Sequence, residues 1–140
     1  MLSSVLRGQS SSTDATAILS RAGLHANATW SPGSARSNKH VSEKYGFNVG
    51  VSTSHDWSVH SNESAAFLTR YQSALTELRS MGFTLDIDIG VSVGESDSLA
   101  RSLPVDEALL QALLQNHVGL IFSVYVVGDD ESAPHETQNA

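Results

Sequence analysis

The sequence predicts an α+β fold in two layers, with three helices on one face of a mixed or antiparallel sheet of four or five strands. Segments with strand periodicity alternate with amphipathic helical segments, and all but one of the strand segments are apolar on one face only. A doubly wound parallel sheet would need more strands that are apolar on both faces. We expect one domain over residues 1–128 and a disordered acidic tail over residues 129–140.

The first third of the chain predicts a strand, a helix and a segment without clear periodicity. Residues 2–7 are short and modestly apolar, and a cluster of N-cap candidates at 10–14 precedes a helical pattern that Gly23 ends. Residues 25–44 are rich in small polar side chains. Because an unstructured loop of that length is unusual in a compact domain, we expect either a short strand near residues 28–30 or a mobile flap.

The middle of the chain has the clearest periodic patterns. Residues 45–52 and 84–94 both alternate apolar with small or polar side chains, which predicts two strands that each have one apolar face. Between them, N-cap candidates at 61–63 and a terminating glycine at 82 delimit one long helix. The apolar stripe of this predicted helix consists of Phe67, Tyr71, Leu75 and Leu78.

The last third predicts a helix and a strand before the tail. Pro104 is compatible with the first turn of a helix that ends near Asn116. Residues 120–127 are apolar on both faces, a pattern typical of a central strand. The acidic residues that follow Gly128 have no apolar anchor among them.

Charge and composition exclude several classes of partner. The 140 residues include 8 Lys and Arg against 15 Asp and Glu, and the formal net charge is −7. Residues 1–84 sum to +2 and residues 85–140 to −9. This balance argues against nucleic acid and anionic lipid as partners, whereas the acidic half favours a basic protein. Without cysteine and without any apolar run long enough for a membrane span, the sequence predicts a cytoplasmic protein with no membrane partner.

One family shows a similar order of elements. The relevant runs are Asp14–Leu24, Trp30–Gly33, Tyr45–Val49, the long amphipathic helix, the 85–93 strand and the closing Leu-Leu…Gly-Leu-Ile-Phe-Ser-Val-Tyr segment. In these runs the chain resembles a family of small bacterial proteins classed as a domain of unknown function. The resemblance implies an α+β fold and brings no catalytic residues. Small acidic proteins of this build are often immunity proteins that neutralise toxins, an association by analogy only.

One pattern is typical of a hydrolase. Gly90-Val-Ser92-Val-Gly94 matches a nucleophile elbow, and Asp97 or Asp106 and then His117 follow in the order of such enzymes. An elbow, however, needs a sharp turn between a strand and a helix, whereas Ser92 continues a strand alternation. We therefore favour the interpretation of Ser92 as an ordinary strand residue.

Two further groups of residues have the chemistry of a metal or acid–base site. Asp86 and Asp88 share one face of a strand, close in sequence to Glu95 and Asp97. We favour solvated aspartates here, because aspartate is mostly exposed unless it is paired. His55 and His60 are spaced so that they meet poorly on a strand or a helix, so we expect no metal and no cofactor.

The sequence thus favours a non-enzymatic protein-binding module. The hypothesis is an immunity-type inhibitor that binds a basic partner protein, such as a toxin, through an acidic surface. The residues assigned to this surface are Asp86, Asp88, Glu95 and Asp97. The alternative is a small hydrolase or metal-dependent enzyme that uses Ser92, or Asp86 and Asp88, with a histidine. A homodimer joined through the open face of the sheet is compatible with both.

Overall fold

An open five-stranded sheet and four helices make up the fold in the computed structural model, which describes residues 1–37, 40–94 and 102–128. The strands are β1 (Leu2–Ser10), β2 (Ala26–Trp30), β3 (Ala35–Ser37), β4 (His40–Val41), β5 (Tyr45–Ser52), β6 (Thr84–Gly94) and β7 (Gly119–Val127). The helices are α1 (Thr16–Ala22), α2 (Trp57–Arg70), α3 (Gln72–Ser80) and α4 (Glu107–Asn116). None of these described helices is both long and apolar enough to cross a membrane.

The sheet is mixed, with the strand order β2-β5-β1-β6-β7. β1 lies antiparallel between β5 and β6, and β2 pairs antiparallel with β5. β6 and β7 run parallel, so they need a crossover connection, and α4 lies within it. The predicted α+β fold with a mixed sheet is confirmed.

The core lies between the helices and one face of the sheet. The aliphatic side chains at alternate positions of β1 and β6 are buried, as their period-2 pattern predicts. They join buried residues of the four described helices in one cluster. Its most deeply buried members include Leu2, Leu6, Phe47, Leu68, Leu75, Leu78, Ile87, Ile89 and Leu109. Burial of each such side chain contributes about 1.5–3 kcal/mol to the free energy of folding.

The long helix predicted over residues 61–82 is two helices. α2 begins earlier than expected because the carboxylate of Asp56 accepts a hydrogen bond from the Val59 N–H at 3.2 Å and caps the helix. Tyr71 leaves helical geometry, with φ −103° and ψ 21°, and separates α2 from α3. The three predicted helices therefore become four, although Leu75 and Leu78 of the predicted stripe are buried as expected.

Residues 26–30 form the strand that was one of the two alternatives for the segment 25–44. This strand, β2, is one edge of the five-stranded sheet, and its Trp30 packs over Gly46 of β5. A small antiparallel pair, β3 and β4, lies between β2 and β5 in the chain. The predicted tail, 129–140, lies outside the described residues.

β7 is the other edge of the described sheet, so the prediction of a central strand was wrong. Its side chains are apolar on both faces, yet Val124 and Val126, which project on the helix side, are 64% and 68% exposed. A run of apolar residues indicates that a strand favours an apolar environment on both faces. It does not indicate whether the same chain provides that environment.

α4 has a side-chain cap at its N-terminus and a left-handed residue after its C-terminus. Asp106 accepts a hydrogen bond from the Leu109 N–H at 2.9 Å, so the helix begins after Pro104 rather than at it. At the other end His117 adopts φ 53° and ψ 46°. The N–H of Val118 then bonds back to the last turn of the helix. Glycine is the residue that favours this capping conformation.

We expect His117→Gly to stabilise the protein by about 0.5–1 kcal/mol, since glycine adopts positive φ without the steric penalty of a Cβ. Urea unfolding would measure the change. Gln115→Gly, at an exposed position inside α4, is the control and should destabilise by about 1 kcal/mol. If both variants lose stability equally, the left-handed conformation of His117 is not strained.

Candidate functional site

The face of the sheet opposite the helices carries a chain of polar contacts across four strands. The guanidinium of Arg7 on β1 lies 3.0 Å from one carboxylate oxygen of Asp88 on β6. Arg7 Nε donates to the side-chain oxygen of Asn48 on β5 at 3.3 Å. From β7, the Ser123 hydroxyl donates to the other carboxylate oxygen of Asp88 at 2.7 Å. Asn48 lies directly opposite Arg7, while Asp88 is a diagonal neighbour of Arg7 and Ser123.

These contacts change the role of the predicted acidic surface. Asp88 is only 6% exposed and both of its carboxylate oxygens have partners, so the interpretation of it as a solvated aspartate was wrong. Its negative charge is compensated by Arg7. Asp86 lies on the same face, half-buried beside Gly119. Glu95 and Asp97 lie outside the described residues.

The structure separates Ser92 from His117, two residues of the predicted hydrolase pattern. Ser92 lies within β6, not at a turn between a strand and a helix. His117 lies two residues before Gly119, the first residue of β7, and Gly119 pairs with Asp86 at the start of the parallel pair. Ser92 is six residues further along β6, which corresponds to about 20 Å. Asp106 caps α4, and Asp97 is outside the described residues.

His60 forms a buried contact that the sequence analysis missed. Its Nδ1 lies 2.7 Å from the Ser54 carbonyl oxygen and its Nε2 lies 2.8 Å from the Ser4 hydroxyl. A carbonyl only accepts, so Nδ1 donates, and in the neutral ring Nε2 accepts from Ser4. A serine paired with an oriented histidine is the geometry of an activated nucleophile. Because His60 is 0% and Ser4 3% exposed, a substrate cannot reach them, and the pair joins α2 to β1.

His55 and His60 do not share a site. His55 lies before α2, where its Nδ1 accepts a hydrogen bond from the Leu2 N–H at 3.1 Å. Within residues 1–37, 40–94 and 102–128, no three histidine or carboxylate side chains come together as a metal site.

A cleft of about 500 Å³ lies between α2 and the region where β2 and β5 meet. Its floor is apolar, with Val49 and Phe67, and its rim carries His25, Glu63 and Arg70. The volume would suit a small ligand. The three rim side chains are exposed, however, so the cleft is an open groove whose charged rim stays in contact with water.

β7 is the most unusual feature of the described surface. Five large apolar side chains are exposed along it, on both faces of the sheet: Ile121, Phe122, Val124, Tyr125 and Val126. On the helix side the Trp57 ring contacts Phe122, with 6.1 Å between the ring centroids. Beyond Phe122 the cover from the helices decreases, and Val124 and Val126 are more exposed than Phe122 is.

Comparisons with protein-family models, with curated proteins and with solved structures gave no match to this chain. The resemblance to the bacterial family therefore stays a prediction. Function has to be argued from the surface of the molecule.

The two edges of the sheet differ in the way they meet solvent. β2 has five residues, most of them small or polar, and Trp30 at its end turns back over Gly46. β7 has nine residues and contains neither a charged residue nor a proline. Short polar edges resist the addition of another strand, whereas long apolar edges favour it. β7 is thus the edge of the described sheet that is suited to association.

Proposed function

We propose that this protein is a non-enzymatic protein-binding module and that β7 is its contact element. The observation that carries the proposal is the row of exposed apolar side chains on both faces of an edge strand. Single exposed apolar residues are normal, but a contiguous apolar patch is typical of an interaction surface. An edge strand also presents backbone donors and acceptors to which a partner strand can add.

The charge of the chain favours a basic partner. Residues 85–140, which include β7, hold one arginine and ten acidic residues. In this proposal the apolar side chains of β7 supply the affinity, and the acidic half speeds the encounter with a basic protein. An immunity-type inhibitor of a basic toxin would have these properties. A cytoplasmic location belongs to the same proposal and is supported by the absence of cysteine.

The enzymatic alternative is less well supported. Its hydrolase form pairs Ser92 with His117, which lies before the other end of the β6–β7 pair, where Gly119 is level with Asp86, six residues or about 20 Å from Ser92 along β6. The serine that does contact a histidine, Ser4, is buried.

The proposed function can be tested by capturing partners with the tagged parent protein and, in parallel, with its Val124→Lys variant. A lysine placed on β7 would have to bury its charge in the contact, so we expect at least a tenfold loss of the captured partner, about 1.4 kcal/mol. Val41→Lys is a matched control, since Val41 is also 64% exposed but lies on β4. The partner should be a basic protein and should elute as the salt concentration rises.

Two results would count against this assignment. A partner that binds Val124→Lys as well as the parent protein would show that β7 is not the contact element. An acidic partner, or one whose binding is indifferent to salt, would contradict the predicted basic class.

A further inference from the structure

We infer that, in the free protein, a second copy of this chain covers β7, with the two β7 strands paired antiparallel about a twofold axis. This inference rests on the proposal that β7 is the contact element. It names the occupant of β7 when no other partner is bound.

The first argument is the match between faces. A strand that adds to β7 extends both faces of the sheet, and it therefore meets apolar side chains on both. Val124 and Val126 lie on the helix side, and Ile121 and Tyr125 lie on the other side. A complementary strand must itself be apolar on both faces. Within the described sheet β7 has that pattern, so a second β7 fits it.

The register that pairs the complete strand also makes favourable side-chain pairs. If Ser123 lies on the twofold axis, residues 119–127 of one copy pair along their whole length with residues 127–119 of the other. Val124 then lies opposite Phe122 of the second copy, and Tyr125 lies opposite Ile121. Aromatic and β-branched residues placed in this way stabilise antiparallel pairs. The twofold axis produces each of these pairs twice.

Self-association at this edge does not bury an uncompensated charge of β7 itself. Two copies with a net charge of −7 repel each other, and β7 contributes no charge to the contact. The nearest buried charge, Asp88, is compensated by Arg7 in its own chain. The Ser123 hydroxyl already donates to Asp88. Pairing at β7 therefore leaves neither the Asp88 charge nor the Ser123 hydroxyl without a partner.

Twofold pairing also ends the assembly at two copies. Each β7 edge is used once, because the same surface of both copies meets itself. The outer edges of the joined sheet are then the two β2 strands, which are short and mostly small or polar. The expected species is a closed dimer rather than a fibre.

Sedimentation equilibrium of the full chain at micromolar concentration tests this inference. We expect a species of twice the 14.9 kDa chain mass, and at least a tenfold weaker dimer for Val124→Lys. Val41→Lys should dimerise like the parent protein, and circular dichroism would verify that both variants are folded. Raising the salt concentration should preserve or strengthen the dimer by screening repulsion, the opposite of its effect on a basic partner.

The register has its own test, because the chain contains no cysteine of its own. In the Ser123→Cys variant, a short bismaleimide should cross-link the cysteines of the two copies, which lie opposite each other at the twofold axis. It should not cross-link Val127→Cys, whose equivalent in the second copy is eight residues away along the pair, about 26 Å. The reverse pattern would overturn the register.

Either of two results would overturn the inference that a second copy covers β7. The parent protein could stay monomeric at about 100 μM, or the Val124→Lys variant could dimerise as well as the parent protein does. The capture experiment on the proposed function would be unaffected by a monomeric result, because it detects a different protein bound at β7. The two failures are therefore distinguishable.

Discussion

Arg7→Ala is expected to lower the free energy of unfolding by about 3 kcal/mol. The substitution leaves the Asp88 carboxylate, which is 6% exposed, with the Ser123 hydroxyl but without its counter-ion. Breaking a buried ion pair from one side costs about 3–5 kcal/mol, and the partly exposed side chain of Arg7 places this pair at the lower end of that range. Urea unfolding monitored by circular dichroism would measure the loss.

Two controls distinguish the effect of burying an unpaired charge from the effect of losing an ion pair on the free energy of unfolding. Arg21 and Glu77 form an ion pair at 2.6 Å in which both side chains are well exposed, so Arg21→Ala should cost less than about 1 kcal/mol. The double variant Arg7→Leu/Asp88→Leu should recover most of the lost stability, because no buried charge then remains unpaired. Equal losses for Arg7→Ala and Arg21→Ala would show that water reaches Asp88 freely.

The Arg7–Asp88 pair also bears on association, because Ser123 attaches β7 to it. β7 has neighbouring strands on one side only within the described sheet. Its open-face contact with β6 includes the hydrogen bond from Ser123 to Asp88. The strand that we propose as the contact element is thus attached to β6 by its backbone ladder and, on the open face, also by the buried charge of Asp88, a residue that the sequence had placed in the acidic surface.

The strands with one apolar face could be predicted from the sequence because their signal is local. In β5 and β6 each apolar residue is two positions from the next, and this alternation holds whatever the neighbouring strand is. Helix ends were less predictable. Asp56 and the serines that follow it in the chain are all possible caps, and their residue types alone do not indicate that the Asp56 carboxylate is the one that accepts a hydrogen bond from the Val59 N–H.

The role of Asp88 and the position of β7 could not be predicted, because both depend on residues that are distant in the chain. Whether an aspartate on a strand face is solvated depends on what lies diagonally across the sheet, here Arg7 and Ser123. Likewise, an apolar strand has the same pattern at the centre of a sheet and at an edge that a partner covers. His60 on α2 illustrates the same limit, since its partner Ser4 lies on β1, 56 positions earlier in the chain, and no local pattern connects the two.

Gly8→Ala is expected to destabilise the protein by about 3 kcal/mol, the upper part of the range for overpacking. Gly8 on β1 lies opposite Phe47 on β5, and a Cβ at Gly8 would overlap the Phe47 ring. That ring is fully buried and packs against Phe83, with 5.7 Å between the ring centroids. Because close-packed interiors accommodate little movement, the added methyl group must displace several core side chains. Thermal or urea unfolding would measure the change.

An aromatic ring also covers a glycine on the opposite face of the sheet. Substitutions there provide controls with smaller expected losses of stability. There the Trp30 indole covers Gly46, the residue opposite it on β5. Trp30 is near the end of an edge strand and can move toward solvent, so Gly46→Ala should cost less, about 1–2 kcal/mol. Gly50 is exposed and a Cβ there meets only Asn27 at 3.4 Å, so Gly50→Ala should change stability by less than about 0.5 kcal/mol. If all three variants lost the same free energy, backbone entropy rather than the covering ring would explain why glycine occupies these positions.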